Sequence, residues 1–148
     1  MSFEDLPPDW ARRPVTDPDI TADLLDLVVG DRDRHEGAIG LLLCGPGGRL
    51  LQPVVVSAPR DQVLEDDHRR VFDVMADAFG DPLDDARPGI LVALARPDYR
   101  HAAREDDRWR DAAVASCEEH GIDLLGIWVV TPDVIRPLPS SEPDRRSA

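Results

Sequence analysis

The stretch that decides the fold is AIGLLLCGPGGRLLQPVVVS, residues 38–57. Two short apolar runs, 38–44 and 50–57, flank the segment GPGG at 45–48. Glycines there can take a positive φ without a Cβ clash, so the pattern predicts a β-hairpin. Pro53 lies inside the second run. Because proline has no backbone N–H to donate, it favours an edge position or a bulge in that strand.

Helical and strand patterns alternate on either side of the hairpin. Three segments carry apolar residues at helical spacing, and further continuous apolar runs have the length of buried strands. The predicted helices span roughly 18–34, 64–79 and 104–120, and the other predicted strands are 90–95, 124–130 and a short one that begins at Val134. Asp17 and Pro18 suit the N-cap and first turn of the first helix, and Gly80 and Gly121 suit the ends of the other two.

The element order α-β-β-α-β-α-β-β predicts an α/β fold with a mixed sheet and helices packed on it. The sheet begins with the antiparallel N-terminal hairpin. Each of the two strand–helix–strand passages predicts a right-handed βαβ crossover with parallel strands. The length of 148 residues fits one domain. We expect residues 17–138 to form it, 1–16 to be an extended N-terminal arm, and 139–148 to be a disordered tail.

Composition limits the partners and the compartment. The net charge of −13 repels phosphate backbones and anionic lipid surfaces, so we expect no binding to nucleic acid or membranes. All 17 basic residues are arginine, and the bias towards Ala, Arg, Asp and Pro is typical of a high-GC bacterial genome. No signal peptide is visible, and no apolar run approaches the roughly 20 residues of a membrane helix. These features predict a cytoplasmic protein with reduced cysteines.

Most candidates for metal or nucleophilic chemistry have structural explanations. The four histidines form no HxH, HExxH or HxxxH pair, and zinc needs several convergent ligands. Cys44 ends a predicted strand, and Cys117 lies on the packed face of a predicted helix, where cysteine behaves as a small hydrophobe. A Cys117–His120 catalytic pair is the nucleophilic alternative. The sequence predicts no metal and no cofactor.

The segment RPDYRH, residues 96–101, is the best candidate for a binding site. It follows the end of a predicted parallel strand and precedes a helix, the position where ligands bind in open α/β sheets. Arginine forks suit carboxylate or phosphate oxygens. A surface loop that neutralises nearby acids would carry the same residues. The candidate binding residues are Arg96, Asp98, Tyr99, Arg100, His101 and, in the following helix, Asp107.

The element order and the stretch 90–138 resemble the JAB/MPN domain, in particular its RadC-like bacterial branch. That family carries an HxHPS-type motif after a strand, and then SxxD at the start of a helix. Here the matching stretch reads ILVALARPDYRHAAREDD, followed by a helix and then HGIDLLGIWVVTPDVIRPL. On this resemblance Pro97 falls on the motif's proline, Leu94 and Arg96 on the two metal histidines, and Arg104 on its serine.

The resemblance implies a relative that has lost the family's zinc site. Active members hold zinc with the two histidines and an aspartate, which falls on Asp107 here. The family's catalytic glutamate corresponds loosely to Glu36. Leucine at 94 cannot donate to a metal, and arginine at 96 keeps its proton and would repel a cation. The resemblance therefore implies a metal-free pseudoenzyme without peptidase or isopeptidase activity.

The leading functional expectation is a non-catalytic protein-interaction or regulatory module on a degenerate JAB/MPN-like fold, with an unknown protein partner or with self-association. The alternative is a metal-independent enzyme or a small-anion-binding protein that uses the 96–101 loop. A third hypothesis is a metal-dependent hydrolase whose ligands include His101 and Asp107.

Overall fold

A computed structural model describes residues 6–58, 67–79, 87–98 and 103–138. After a short 3-10 helix (Trp10–Arg12), the elements are α1 (Thr21–Val28), α2 (Asp31–Glu36), β1 (Ala38–Cys44), β2 (Leu50–Ser57), α3 (Asp67–Phe79), β3 (Gly89–Ala95), α4 (Ala103–His120), β4 (Asp123–Val130) and β5 (Ile135–Pro137). No helix in these ranges is long and apolar enough to cross a membrane. The predicted tail, 139–148, and Gly80 lie outside the described residues.

The five strands form one mixed sheet in the order β2-β1-β3-β4-β5. β3 and β4 are parallel, and the other neighbouring pairs are antiparallel. This confirms the predicted α/β fold with an N-terminal hairpin. The hairpin turn contains Gly47 and Gly48 at φ values of 86° and 82°, a region that residues with a Cβ rarely adopt. Pro53 lies in β2, an edge strand of this sheet, as its missing N–H predicts.

The position of β1 shows how the first crossover is built. β2 and β3 run in the same direction, but β1 lies between them and is antiparallel to both. The crossover that carries α3 therefore passes over β1, whereas β3 and β4, joined by α4, are direct neighbours. All residues of β1 are buried, while most of β2 is at least partly exposed. Burial of β1 on both faces requires an interior position in the sheet.

The sheet separates two hydrophobic clusters, because alternate strand residues point to opposite faces. One cluster joins α3 and α4 to β1, β3 and their neighbours, and its members include Ile39, Leu41, Phe72, Val92 and Trp109. The other joins α1 to the opposite face, with Leu24, Leu25, Leu42, Leu91 and Val130. Val15, which belongs to the predicted N-terminal arm, is buried in this second cluster beside a bridge between Pro14 and Arg49.

The single helix predicted over 18–34 is wrong, because the structure has two short helices there. α1 ends at Val28, Val29 takes extended dihedral angles, and Gly30 precedes α2. Asp17 is also not the N-cap that the sequence predicts. Its side chain accepts a hydrogen bond from the backbone N–H of Asp19 at 2.9 Å and forms a turn ahead of α1. The apolar spacing continues only to Val28, and the polar residues of α2 do not extend it.

Gly121 offers a direct test of backbone strain at the end of α4. Its φ is 69°, and a Cβ added there would meet no atom within 4 Å. We expect Gly121→Ala to lower the free energy of unfolding by about 1–2 kcal/mol through the left-handed backbone alone, as measured by urea denaturation. Gly121→Asn should lose less, because asparagine tolerates this conformation better. An alanine variant as stable as the unmodified protein would contradict the assignment of strain.

Candidate functional site

A cavity of about 510 Å³ opens beside the start of β1 and the end of β3. The antiparallel pairing of these strands places Ala38 opposite Ala95 and Ile39 opposite Leu94, and all four line the cavity. The end of α2 and the first turns of α4 complete the walls. A volume of this size and a mostly apolar lining are typical of small-molecule sites.

Small residues at the ends of the elements create this space. Gly37 ends α2 with a φ of 99°, so the chain turns directly into β1. The carbonyl oxygen of Gly37 accepts a hydrogen bond from the backbone N–H of Ala58 at 3.0 Å, which brings the end of β2 to the same edge. Ala38 and Ala95 face each other across the strand pair. Larger side chains at these positions would occupy the cavity.

Arg96, the first residue of the predicted binding loop, lines the cavity and is 9% exposed. One terminal nitrogen of its guanidinium donates to a carboxylate oxygen of Asp106, and its Nε donates to the carbonyl oxygen of Asp98 at 2.9 Å. Both Arg96 and Asp106 are buried, so their charges neutralise each other away from solvent. The guanidinium is thus already engaged by groups of the protein itself.

Asp106, and not the predicted Asp107, borders the cavity. Asp107 is about half exposed and accepts a hydrogen bond from Arg110 at 2.9 Å. Asp106 is 5% exposed because it lies three residues before Trp109 and seven before Ala113, on the buried stripe of α4. The apolar stripe of the helix, extended back to its first turn, includes Asp106 and not Asp107. The sequence thus contains a signal that distinguishes the two aspartates.

A buried histidine connects α3 to the cavity wall, a contact that the sequence did not reveal. The Nε2 atom of His68 lies 2.7 Å from a carboxylate oxygen of Glu105, which lines the cavity. The His68 ring packs on Trp109, with 4.4 Å between the ring centroids. These residues are distant in sequence, so helical periodicity could place His68 on a packed face but could not identify its partners.

The remaining predicted residues divide between described and undescribed parts of the chain. Glu36 lines the cavity, is about half exposed, and accepts a hydrogen bond from Arg32 at 2.8 Å. His35 lines the cavity beside it. Asp98 is exposed and contributes its carbonyl oxygen to Arg96. The other three residues of the predicted loop lie outside the described residues: Tyr99, Arg100 and His101.

The residues that the resemblance assigns to the zinc ligands of the JAB/MPN family do not fit a zinc ion. Leu94 has no donor atom. Arg96 carries a positive charge and is bonded to Asp106. Asp107 is not among the residues that line the cavity, and its carboxylate accepts from Arg110. A single available carboxylate cannot form the multidentate N, O or S donor set that zinc requires.

A separate polar cluster joins α3 to α4. Among the described residues, Asp73, Glu119 and His120 are the one group whose metal-ligating atoms lie within 4.8 Å of one another. Arg69 donates to both carboxylates, and Ser116 donates to Asp73 at 2.7 Å. Burial alone would raise the pKa of Asp73, but the hydrogen bonds from Ser116 and Arg69 outweigh it and hold that pKa below its usual value. The cluster thus has cationic and hydroxyl partners within the protein.

The two cysteines are unsuited to nucleophilic catalysis. Both are buried, and burial raises the pKa of Cys44 to about 12 and that of Cys117 to about 11. At neutral pH both are thiols, whereas catalysis requires the thiolate. The His120 ring nitrogen Nδ1 lies 2.9 Å from the carbonyl oxygen of Ser116. The environment of Cys117 thus argues against a Cys117–His120 pair.

No protein-family model, curated protein or solved structure matches this chain. The chemistry of the site is therefore inferred from its own residues. They form a cavity of ligand size with apolar walls, several carboxylates and one neutralised arginine.

Proposed function

We propose that the protein is a non-catalytic regulatory module on a degenerate JAB/MPN-like fold, and that a small molecule bound in the cavity controls it. One observation carries this proposal. Glu36, Leu94 and Arg96, which the resemblance assigns to the family's catalytic centre, line a single cavity. Glu36 is distant from the other two in sequence, so their meeting at one place supports a site that has kept its position and lost its metal.

The side chains of this site support binding without turnover. The positions of two metal ligands hold a leucine and an arginine, and neither can activate a water molecule as a zinc ion does. Among the described residues, both cysteines are protonated at neutral pH, which removes the usual covalent nucleophile. What remains is a shaped apolar space with a few polar groups, which is what recognition of a small molecule needs.

The position of the cavity supports a regulatory role. Its walls come from two paired strands and from two helices that reach different parts of the sheet. A ligand that contacts both β1 and α4 stabilises the arrangement in which those elements are packed together. Binding of the ligand would then change the affinity of the protein for its expected partner, or its self-association.

Ligand binding should be visible as thermal stabilisation. We expect a screen of drug-sized fragments to contain compounds that raise the melting temperature, since ligand at a hundredfold excess over its Kd adds about 2.7 kcal/mol to the stability of the folded state. Ala58→Leu extends a side chain into the cavity and should remove most of the shift. Ala115→Leu is the matched control, because Ala115 is also half-buried but lies on α4 outside the lining.

Three results would contradict this function. The first is a screen in which no fragment shifts the melting temperature even at millimolar concentration. The second is cleavage of peptide or isopeptide substrates by the purified protein after zinc is added. The third is a monomer in light scattering, with and without ligand, that captures no partner, because a regulatory module needs a second macromolecule to act on.

A further inference from the structure

We propose that the cavity selects an organic cation, a molecule with an apolar body and a protonated or quaternary amine. This inference rests on the proposed function and specifies the chemical class of its ligand. Among the described lining residues, Glu36, Glu105 and Asp106 carry carboxylates, and Arg96 carries the one guanidinium. His35 adds an imidazole ring, whose Nδ1 atom lies 2.8 Å from the carbonyl oxygen of Asp31. Carboxylates therefore exceed guanidinium groups at the cavity wall.

The single arginine does not offer an anion site. Arg96 donates to the carboxylate of Asp106 and to the carbonyl oxygen of Asp98, and it is almost fully buried. An anionic ligand would have to displace Asp106 and leave that carboxylate buried without its guanidinium partner, which is strongly unfavourable. A cationic ligand leaves the Arg96–Asp106 pair intact and can contact the other two carboxylates. The arginines beside these carboxylates, Arg32 at Glu36 and Arg108 at Glu105, are at least half exposed, so their ion pairs are weaker than the buried one.

The first turn of α4 leads to the same conclusion. The N-terminus of a helix favours negative charge, and a helix without acidic side chains in its first turn would attract an anion there. In this protein Glu105 and Asp106 already supply negative charge in that turn, and both line the cavity. The protein's own carboxylates therefore compensate the helix dipole. The cavity is bordered by these two carboxylates.

Glu36 is the carboxylate best placed to meet a ligand at the mouth of the cavity. Its side chain is 54% exposed, and its ion-pair partner, Arg32, is 85% exposed. A pair so open to water is weak, so Glu36 can turn from Arg32 to a ligand at small cost. Glu105 is more enclosed, and the Nε2 atom of His68 holds it at 2.7 Å. The two carboxylates thus provide one adaptable and one fixed contact.

The rest of the lining is apolar, and it therefore favours a ligand with an apolar body. Ile39, Leu94, Ala58 and Trp109 contribute hydrocarbon and ring surface beside the carboxylates. A small inorganic cation would leave this surface in contact with water, whereas an arylalkylamine would cover it and still place its ammonium group near Glu36. The net charge of −13 favours a cation further, because negative potential concentrates in clefts.

The test uses three probes that share one body and differ in head group: 4-phenylbutylamine, 4-phenylbutan-1-ol and 4-phenylbutyrate. Their affinities for the full chain are measured by isothermal titration calorimetry, and two-dimensional NMR identifies the resonances that respond. We expect the amine to bind about tenfold more tightly than the alcohol, and 4-phenylbutyrate to bind most weakly of the three. Added salt should weaken binding of the amine and leave that of the alcohol unchanged.

A charge-matched pair of variants tests the role of Glu36. Glu36→Gln should weaken binding of 4-phenylbutylamine about three- to fivefold and leave 4-phenylbutan-1-ol unaffected. Glu118→Gln removes the same charge from an exposed position on α4 outside the cavity, and it should change both affinities less than about twofold. An equal loss in the two variants would overturn a local contact, because it would show a general effect of net charge.

The outcomes separate the ligand class from the proposed function. Equal affinities of the three probes for the cavity, or tightest binding of 4-phenylbutyrate, would overturn the cation proposal. Either result would still support a ligand-binding site at the cavity. In the second case the small-anion alternative regains support. If none of the probes shifts a cavity resonance at millimolar concentration, the cation proposal falls and the proposed function loses its support as well.

Discussion

Asp106→Ala is expected to lower the free energy of unfolding by about 3–5 kcal/mol, because it leaves the buried guanidinium of Arg96 without its carboxylate. The side chains of the pair are only 10% and 8% exposed. Water can therefore do little to replace the lost carboxylate. Urea denaturation at neutral pH, followed by far-ultraviolet circular dichroism, measures the loss.

Two further variants separate the buried pair from the charge of the helix terminus. Asp107→Ala removes a carboxylate of the same turn that is about half exposed, and we expect a loss within about 0.5 kcal/mol. The double variant Arg96→Met, Asp106→Leu replaces both charges by apolar groups and should recover most of the stability lost in Asp106→Ala. Equal losses in the two aspartate variants would show that the helix dipole, and not the pair, is responsible.

Arg34→Ala is expected to lower the free energy of unfolding by about 3 kcal/mol. The Arg34 side chain is 7% exposed and forms an ion pair with Asp26 at 2.8 Å. Its guanidinium also donates to the carbonyl oxygens of Val29 at 3.0 Å, Asp26 at 3.1 Å and Thr131 at 3.4 Å. Removal leaves the carbonyl groups of Asp26 and Val29 at the end of α1, and that of Thr131, without this donor. It also leaves the partly buried carboxylate of Asp26 without its guanidinium.

Two control variants test the role of Arg34: one at another arginine of α2, and one with a different substitution at position 34. Arg32→Ala removes an exposed arginine of α2, and we expect no measurable change in the urea midpoint. Arg34→Lys keeps the charge but loses the planar fork that reaches several acceptors, so it should recover only part of the stability. A lysine variant as stable as the unmodified protein would show that charge alone suffices.

The local elements could be predicted from sequence because their signals lie within a few residues. The glycines of the GPGG segment specify the hairpin turn, Pro53 favours the sheet edge, and Gly121 ends α4 in a left-handed conformation. These residues act through their own backbone geometry. The mixed α/β sheet followed from the order of such elements.

The arrangement of the strands and the break in the first helix depend on contacts that periodicity does not contain. β1 lies between β2 and β3 because it is buried on both faces. The predicted helix runs through Gly30, yet the chain breaks there. The buried Arg34 of α2 binds the carbonyl oxygens of Asp26 and Val29 at the end of α1 and that of Thr131. An arginine in a polar segment gives no sequence signal of such burial.

Prediction of the candidate site was partial for a related reason. Arg96 follows a strand end, where ligands often bind, and the structure places it in the cavity lining. The motif of the family that the sequence resembles points to Asp107, whereas the phase of the helix points to Asp106. The contact between His68 and Glu105 joins two helices, and only the packed structure reveals it.

The pairing of β1 with β3 has a consequence for the order in which the chain folds. The hairpin closes through a short turn, whereas β1 and β3 can pair only after the chain between Cys44 and Gly89 has closed into a large loop. Closure of a long loop costs more entropy, so non-local pairing limits the folding rate. Because the cavity lies beside this pair, it forms only at the slow step. A ligand of the kind proposed would therefore slow unfolding of the folded protein, but it would have no site to bind early in folding.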